Sequence, residues 1–254
     1  MPRENTLFVG KFVHHFEELP STNAYLQELV DRQKIPEGTV VLTDHQTAGR
    51  GQMGNTWFGG RRNNIALSVL LRPIFLEPRQ QFQLTQCVAL AVRDTLAEFM
   101  TQPVRIKWPN DVLVGDRKIC GILIQNSLSG AQLSRSIVGI GVNVNQVEFP
   151  EEASKATSIF LETGRELDCE VLLYRLYENL EARYLQLRGG RTQALHADYI
   201  RQFYRLDQPT PFRDSLTECD FVGLPTGISE RGELVVVMPD GRRRFFGMKE
   251  IKWR

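Results

Sequence analysis

Residues 105–126 constrain the fold of this chain more than any other segment, because two apolar runs are joined there by a turn dipeptide. Gly115-Asp116 favours a tight reversal, so the segment predicts a β-hairpin. Lys107 lies near the start of this hairpin and Lys118 lies just past its turn. Trp108-Pro109-Asn110-Asp111 interrupts the first strand, since proline cannot donate to a central ladder. Two lysines and a carboxylate beside one irregular corner are typical of a site for an anion and a metal.

The remaining apolar patterns predict an α+β fold. Strands are expected over residues 39–43, 65–71 and 133–144, and helices over 80–100, 170–187 and 191–204. Ser21-Thr22-Asn23 is an N-cap signal before a further helix. Because strands follow strands with short turns, we expect a mixed or antiparallel sheet with packed helices, not a repeating βαβ array.

The pattern of apolar and turn-forming residues changes after Leu206. Short strand-like runs alternate there with turns, and Asp240-Gly241 between two such runs is a hairpin signal. We therefore predict two domains, a large one over residues 1–206 and a small all-β domain over 207–254.

Composition excludes several functional classes. The chain has 31 Lys and Arg against 30 Asp and Glu, and a net charge of +1 argues against a broad nucleic-acid face. No run approaches the roughly 20 apolar residues of a membrane helix, and residues 1–5 lack the apolar core of a signal peptide. A cytoplasmic protein without nucleic-acid or membrane partners is expected. The four cysteines and four histidines show no metal-ligand spacing.

A second informative segment is the glycine loop, residues 46–57. Three glycines, at 49, 51 and 54, let consecutive backbone amides wrap an anion, and Arg50 adds charge. The literal Gly-x-Gly-x-x-Gly match is not followed by a helical pattern, so it does not indicate dinucleotide binding. Taken alone, this loop could equally be a mobile surface loop, and Lys107 and Lys118 could be solvated strand lysines. The joint occurrence of these features favours a site.

The sequence resembles the biotin–protein ligases in four blocks that occur in the family's order. They are Ser21-Thr22-Asn23, then Ala48-Gly49-Arg50-Gly51 with Trp57, then Lys107-Trp108-Pro109-Asn110-Asp111 with Arg117-Lys118-Ile119-Cys120-Gly121-Ile122-Leu123, then Gly139-Ile140-Gly141-Val142-Asn143-Val144-Asn145. The resemblance implies a class II synthetase-like catalytic domain followed by a small SH3-like β-barrel.

The resemblance also implies a ligase that forms a carbon–nitrogen bond in two steps. Mg²⁺-ATP activates biotin to biotinyl-5'-AMP, and a lysine of a biotin carboxyl carrier protein then takes the biotin. No protein nucleophile is needed, because both nucleophiles come from the substrates. The protein must position reactants and offset crowded negative charge.

Site residues carried over from the family fall into three groups. Biotin contacts are expected from Ser21, Thr22, Asn23, Gln46, Gly49, Arg50, Gly51, Gln52, Lys118, Gly121 and Leu123. ATP contacts are expected from Arg50, Trp57, Lys107, Asn110 and Asn143, and Mg²⁺ ligation from Asp111 and Asn110. Lys118 is assigned to the biotin carboxyl oxygen, Lys107 to the α-phosphate, and Arg50 to both groups as the loop closes.

The sequence departs from the family in the glycine loop. Well-studied bacterial members follow Gly-Arg-Gly with Arg-Arg-Gly-Arg, whereas this chain has Gln52-Met53-Gly54-Asn55. We expect biotinyl-adenylate to be held less tightly as a result.

Only 20 residues precede Ser21, so we expect no N-terminal helix-turn-helix and no repressor activity. Family members commonly pair through a sheet edge, which suggests a homodimer.

Two other functions are compatible with parts of this pattern. Lipoate–protein ligases share the architecture, but their upstream motif has Arg-Arg and a Gly-Gly-Gly run, where this chain has Gly49-Arg50-Gly51. A non-catalytic biotin or nucleotide binder is the other alternative. Intact Lys107, Lys118 and Asp111 argue against it.

Overall fold

The computed structural model describes residues 5–61, 63–130 and 132–254, except for the side chain of Met53. Residues 1–4, which entered the signal-peptide prediction, lie outside this set. The large sheet contains β1 (Val13–Phe16), β2 (Val40–Thr43), β3 (Asn64–Leu71), β4 (Val104–Lys107), β5 (Asp111–Val114), β6 (Arg117–Ser129) and β7 (Gln132–Asn143). Its order is β1-β2-β3-β7-β6-β5-β4. Only the β1–β2 pair among these described strands is parallel, so the predicted mixed sheet is confirmed.

Helices cover both faces of this sheet. They are α1 (Thr22–Arg32), α2 (Gln81–Ala97), α3 (Ile159–Thr163), α4 (Cys169–Arg188) and α5 (Thr192–Arg201). Leu70 of β3 packs in the smaller core with α1, whereas its neighbours Val69 and Leu71 lie in the main core with α2 and α4. Every residue of β3 is therefore buried, including Ser68, the one hydroxyl in the strand.

The prediction of one hairpin over 105–126 was wrong in its topology. Residues 108–110 do leave the sheet, as the proline requires, but they reverse the chain and make a first hairpin of β4 and β5. Gly115-Asp116 then makes a second hairpin of β5 and β6. The segment is a three-stranded meander, and Lys107 is paired directly with Asp111 across the first turn.

Two elements, β1 and α3, were not predicted, and α5 ends earlier than expected. Its pattern extended to residue 204, but residues 202–204 run beside β4 instead. The Ile106 amide donates to the Gln202 carbonyl at 2.9 Å, and the Tyr204 amide donates to the Ile106 carbonyl at 2.8 Å. Pairing with a strand edge has replaced the last helical turn.

A second, antiparallel sheet follows. It contains β8 (Thr210–Asp214), β9 (Asp220–Ile228), β10 (Leu234–Val237), β11 (Arg243–Phe246) and β12 (Ile251–Trp253), in the order β11-β10-β9-β8-β12. Gly241 has φ +80° in the β10–β11 turn, as the hairpin signal predicted. The α+β fold class with a small C-terminal β unit is confirmed, while the boundary at residue 207 stays a prediction.

Across the described ranges, no helix has both the length and the apolar content needed to cross a membrane.

Candidate functional site

The site lies on a row of paired residues that crosses the large sheet. Ala66 pairs with Gly141, Gly141 with Gly121, Gly121 with Asp111, and Asp111 with Lys107. Directly paired residues point to the same face of a sheet, so all five share one side. The glycines leave space in the middle of this row, which the Trp57 ring occupies, and the charged residues stand at its end.

A polar pocket, formed by Ser21, Thr22, Asn23 and Gln46 with Ser68 behind them, lies in the same cleft as these charged residues. Ser21 caps α1, and its hydroxyl accepts from the Ala24 amide at 3.5 Å. Gln46 Oε1 accepts from the Thr22 amide at 2.9 Å. The helix start is thus both a cap and a wall of the pocket.

Ser68 and Gly139 support the polar pocket from the sheet. The Ser68 hydroxyl lies 2.7 Å from Thr22 Oγ1 and 2.5 Å from Asn23 Oδ1. A Cβ on Gly139 would lie 2.4 Å from Asn23 Oδ1, so only glycine leaves room for this side chain. Asn23 Nδ2 donates to Gln125 Oε1 at 2.8 Å. The pocket is therefore rigid and internally hydrogen-bonded before any ligand arrives.

Lys118 and Asp111 form an ion pair across the β5–β6 hairpin, with Nζ 2.6 Å from Oδ1. Lys118 also lies 5.8 Å from the centre of the Trp57 ring. A Cβ on Gly121 would meet both Trp57 and the Lys118 side chain at 3.0 to 3.1 Å. The missing side chain of Gly121 therefore allows the lysine to lie across the strand towards the middle of the cleft.

Lys107 is half-buried at the end of β4. Burial lowers the pKa of its ammonium group, the Asp111 carboxylate raises it, and the positive charges of Lys155, Lys118 and Arg205 lower it further. A lysine in this setting is poorly compensated while the cleft is empty. A phosphate group would provide the missing negative charge.

The glycine loop closes on itself over the cleft. The Trp57 amide donates to the Gly49 carbonyl at 3.0 Å, and the Gly51 amide donates to the Asn55 carbonyl at 2.7 Å. Trp57 packs on the glycines of the sheet, since a Cβ on Gly141 would lie 2.4 Å from its ring. Arg50 lines the cleft but is exposed, and Gln52 is partly exposed.

Most of the predicted residues line one cavity of about 630 Å³. They are Ser21, Thr22, Asn23, Gln46, Arg50, Gly51, Gln52, Trp57, Lys107, Asn110, Asp111, Lys118, Gly121 and Leu123. Gly49 is buried behind this wall, where a Cβ would lie 2.6 Å from the Trp57 carbonyl oxygen. Asn143 lines a neighbouring cavity of about 670 Å³, which shares Lys107, Asp111, Lys118 and Trp57 with the first.

Asn110 and Asn143 have partly structural roles. Asn110 Nδ2 donates to the Ile122 carbonyl at 2.8 Å, which ties the turn after β4 to β6. Asn143 Nδ2 donates to the Thr157 carbonyl at 2.9 Å, while its buried Oδ1 has no partner. A buried acceptor without a donor is available to an amino group such as that of adenine.

The donor set fits Mg²⁺ that arrives with a nucleotide. Within the described part of the chain, no group of three or more His, Cys, Asp or Glu side chains could hold a metal by itself. Asp111 supplies one carboxylate to the cleft, and Asn110 Oδ1 is a further oxygen. Mg²⁺ commonly uses one or two carboxylates, substrate phosphates and water.

Several lining residues were missed by the sequence reasoning. Met248 and Trp253 reach the cleft from the second sheet, and Lys155 lines the neighbouring cavity. No local pattern marks them, because their position depends on how the two sheets pack. Ser68 did carry a signal, since it is a lone hydroxyl inside an apolar strand.

Sequence comparisons identify relatives along nearly the whole chain. The model of the biotin/lipoate A/B protein ligase family matches residues 15–143. The bifunctional ligase/repressor BirA of Bacillus subtilis is 32% identical over 246 residues, a match that covers 95% of this chain and 74% of that protein. The biotin–[acetyl-CoA-carboxylase] ligase of Mycobacterium tuberculosis is 35% identical over 224 residues, covering 84% of this chain and 79% of that protein.

Structural comparison agrees with these matches. The biotin protein ligase of Aquifex aeolicus, solved in complex with biotin and ATP, superimposes with a TM-score of 0.80 and 28% identity, and the match covers 96% of this chain and 99% of that one. The residues matched by the family model, 15–143, include the polar pocket, Lys107, Asp111 and Lys118. The chain belongs to the biotin/lipoate A/B protein ligase family.

Proposed function

We propose that the cleft carries out both steps of biotin–protein ligation with the residues described above. The chain is a biotin–protein ligase that uses ATP. One observation carries the assignment of roles: a largely buried polar pocket and a lysine cluster, formed by Lys107 and Lys118, line one cavity. A molecule with a polar ring at one end and a carboxylate at the other fits that arrangement.

The polar pocket would hold the ureido ring of biotin. A ureido group offers two N–H donors and one carbonyl acceptor, and the pocket offers hydroxyl, amide and backbone groups that pair with both kinds. The dithiolane ring of lipoate offers no such groups, so its binding would displace water from these polar groups without replacing the hydrogen bonds. Sites built for hydrogen bonding discriminate strongly against ligands that lack the partners.

In the first step, a carboxylate oxygen of biotin attacks the α-phosphorus of ATP, and the bond from that phosphorus to the leaving pyrophosphate oxygen breaks. Lys118 would hold the attacking carboxylate, and Lys107 would hold the α-phosphate. Arg50 would close over both groups. These cations stabilise negative charge that would otherwise keep the two anions apart.

Asp111, with Asn110, would hold Mg²⁺ on the phosphates. The bound ion supplies charge neutralisation and orientation to the phosphate chain. Asp111 would then exchange its present ion pair with Lys118 for the metal, which frees the Lys118 ammonium group for the biotin carboxylate. The unpaired Oδ1 of Asn143 and the Trp57 ring would receive the adenine.

In the second step, the neutral amine of an acceptor lysine attacks the carbonyl carbon of biotinyl-adenylate. The carbon–oxygen bond to phosphate breaks, AMP leaves, and the nitrogen gives up a proton.

We propose that the acceptor is the carrier domain of a biotin-dependent carboxylase and that the reaction takes place in the cytoplasm. A homodimer, paired through a sheet edge, is part of the same proposal.

Transfer of isotope-labelled ligand to a carrier domain tests this function. Labelled biotin with Mg²⁺-ATP should label a biotin carboxyl carrier domain, and labelled lipoate with a lipoyl domain should not. Pyrophosphate release that depends on biotin should accompany the first step. Labelling by lipoate alone, or no biotin-dependent pyrophosphate release, would refute the assignment.

A further inference from the structure

The Lys107 ammonium group lies against two aromatic rings from different parts of the chain. Its Nζ is 6.0 Å from the centre of the Tyr204 ring and 5.5 Å from that of the Trp253 ring. The two rings themselves lie 5.6 Å apart. Both distances from Nζ are within the range of a cation–π contact. The two rings together form an aromatic corner around Lys107.

Tyr204 is fixed at both ends. Its amide donates to the Ile106 carbonyl at 2.8 Å, directly before Lys107 in β4. Its hydroxyl donates to Asp116, which is also paired with Arg205 at 3.2 Å. Burial and the Asp116 hydrogen bond raise the pKa of Tyr204 to about 12, so the hydroxyl stays a donor at neutral pH. The ring therefore has little freedom to move away from Lys107.

Trp253 belongs to the last strand of the second sheet but is tied to the first. Its indole Nε1 donates to the Trp108 carbonyl at 3.1 Å, in the turn that follows Lys107. Its ring also packs against Phe212 with centres 4.8 Å apart. The second sheet thereby places an aromatic face beside a lysine of the catalytic cleft.

Without a bound anion, the charged groups around Lys107 hold its ammonium group only weakly in place. The positive charges of Lys118, Lys155 and Arg205 disfavour its own, while the carboxylates of Asp111 and Asp116 favour it. The negative faces of two aromatic rings attract an ammonium group without forming a competing ion pair. An anion can then bind Lys107 without first breaking a salt bridge to it.

We propose that Tyr204 and Trp253 are positioning residues that hold the Lys107 ammonium group ready for the α-phosphate. This rests on the proposed function, because it assumes that Lys107 contacts the nucleotide in the first step. The aromatic corner also gives the second sheet a direct part in biotin activation, through one ring.

The full chain tests this with four variants assayed for biotin-dependent pyrophosphate release. Trp253→Leu and Tyr204→Leu remove the rings, and Trp253→Phe restores an aromatic face. Phe221→Leu is the matched control, since Phe221 packs on Phe212 and Phe246 but does not touch Lys107. Each Leu variant at the corner should lower kcat about tenfold, the size of a desolvated cation–π contact. Biotin affinity, measured without ATP, should not change.

The control and the conservative variant separate positioning from simple structural damage. Phe221→Leu should keep kcat within about threefold of the wild type and Trp253→Phe should recover most of the loss, because only ring faces near Lys107 matter. Equal losses of kcat in Phe221→Leu and Trp253→Leu would overturn the proposal. So would a Trp253→Phe variant as slow as Trp253→Leu. A wild-type chain without pyrophosphate release would overturn the proposed function itself, and the positioning role with it.

Discussion

The polar pocket and the glycine loop line the same cleft but are built in different ways. Ser21, Thr22, Asn23 and Ser68 are buried on a helix start and a central strand, and the Ser68 hydroxyl lies within hydrogen-bond distance of Thr22 and Asn23. Arg50 in the loop is exposed, and its backbone pairs with Thr56 of the same loop. The pocket is preorganised, whereas the exposed Arg50 side chain can move to contact an anion once it has bound. Ring recognition should therefore depend on rigid packing, and charge handling on side chains that can move.

The largest expected effect is at the lysine cluster, where charge handling begins. Lys118→Met should lower the rate of pyrophosphate release by at least about 100-fold, since removal of one charge stabiliser in a water-poor site costs that much. Biotin binding without ATP should fall far less, because the polar pocket is intact. Lys34→Met, a change at an exposed lysine outside the cleft, is the matched control. A Lys118→Met variant at full rate would contradict the role of Lys118.

The pH dependence of the first step should show the titration of the Lys107 ammonium group. Burial lowers the pKa of Lys107, and the charged form is the one that binds phosphate. Activity should therefore be present below this lowered pKa and fall as pH rises through it, by about tenfold per pH unit. The measurement is kcat/KM for ATP across the alkaline range.

Lys107→Arg provides the control for this pH profile. A guanidinium group stays charged throughout the range, so the fall in activity should disappear in whatever rate the variant retains. An unchanged alkaline fall in Lys107→Arg would assign it to another group.

A smaller effect is expected from the support of the polar pocket. Ser68→Ala removes the hydroxyl that bonds Thr22 and Asn23, and leaves their buried oxygens without that partner. Biotin Kd, measured by calorimetry, should rise about tenfold, which is typical of an unsatisfied buried polar group. The KM for ATP should stay constant. Ser134→Ala, at a serine of β7 whose hydroxyl bonds the Ser127 carbonyl, is a control outside the cleft.

The smallest expected effect is in the glycine loop. Gln52→Arg adds a charge at a partly exposed position, so biotinyl-adenylate should dissociate roughly threefold more slowly, the scale of an exposed ion pair. The gain should shrink at high salt, because exposed charges are screened. Stopped-flow measurement of adenylate release at two salt concentrations checks both points. An unchanged rate would refute the idea that Gln52 weakens adenylate retention; the Met53 side chain lies outside the described residues.

The sequence predicted much of the fold because local periodicity encodes it. The helix predicted over 170–187 is Cys169–Arg188, and the strand predicted over 133–144 is Gln132–Asn143. The prediction failed where distant segments competed with local preference. Residues 202–204 abandon the helix to pair with β4, and the interruption at Trp108-Pro109 became a turn between two paired strands.

The candidate site, like the fold, was predicted where local motifs mark its residues and missed where distant segments meet. The motifs placed Lys107, Lys118 and the glycine loop in one site because their residue types and spacing are unusual together. They gave no signal for Trp253, which reaches the cleft only because the second sheet packs on the Trp108 turn. A single sequence carries no record of which distant segments meet.

By itself, the sequence determined the chemical groups of this protein: a capped helix start, an anion-binding loop, two lysines and a carboxylate. Only the tertiary structure decided that Gly141, Gly121, Asp111 and Lys107 form one row across four strands and line the same cavity as the polar pocket. The physical reason is that strand periodicity sets which face a residue occupies, whereas strand order and register depend on pairing between distant segments. This register brings the separate motifs together in one cleft.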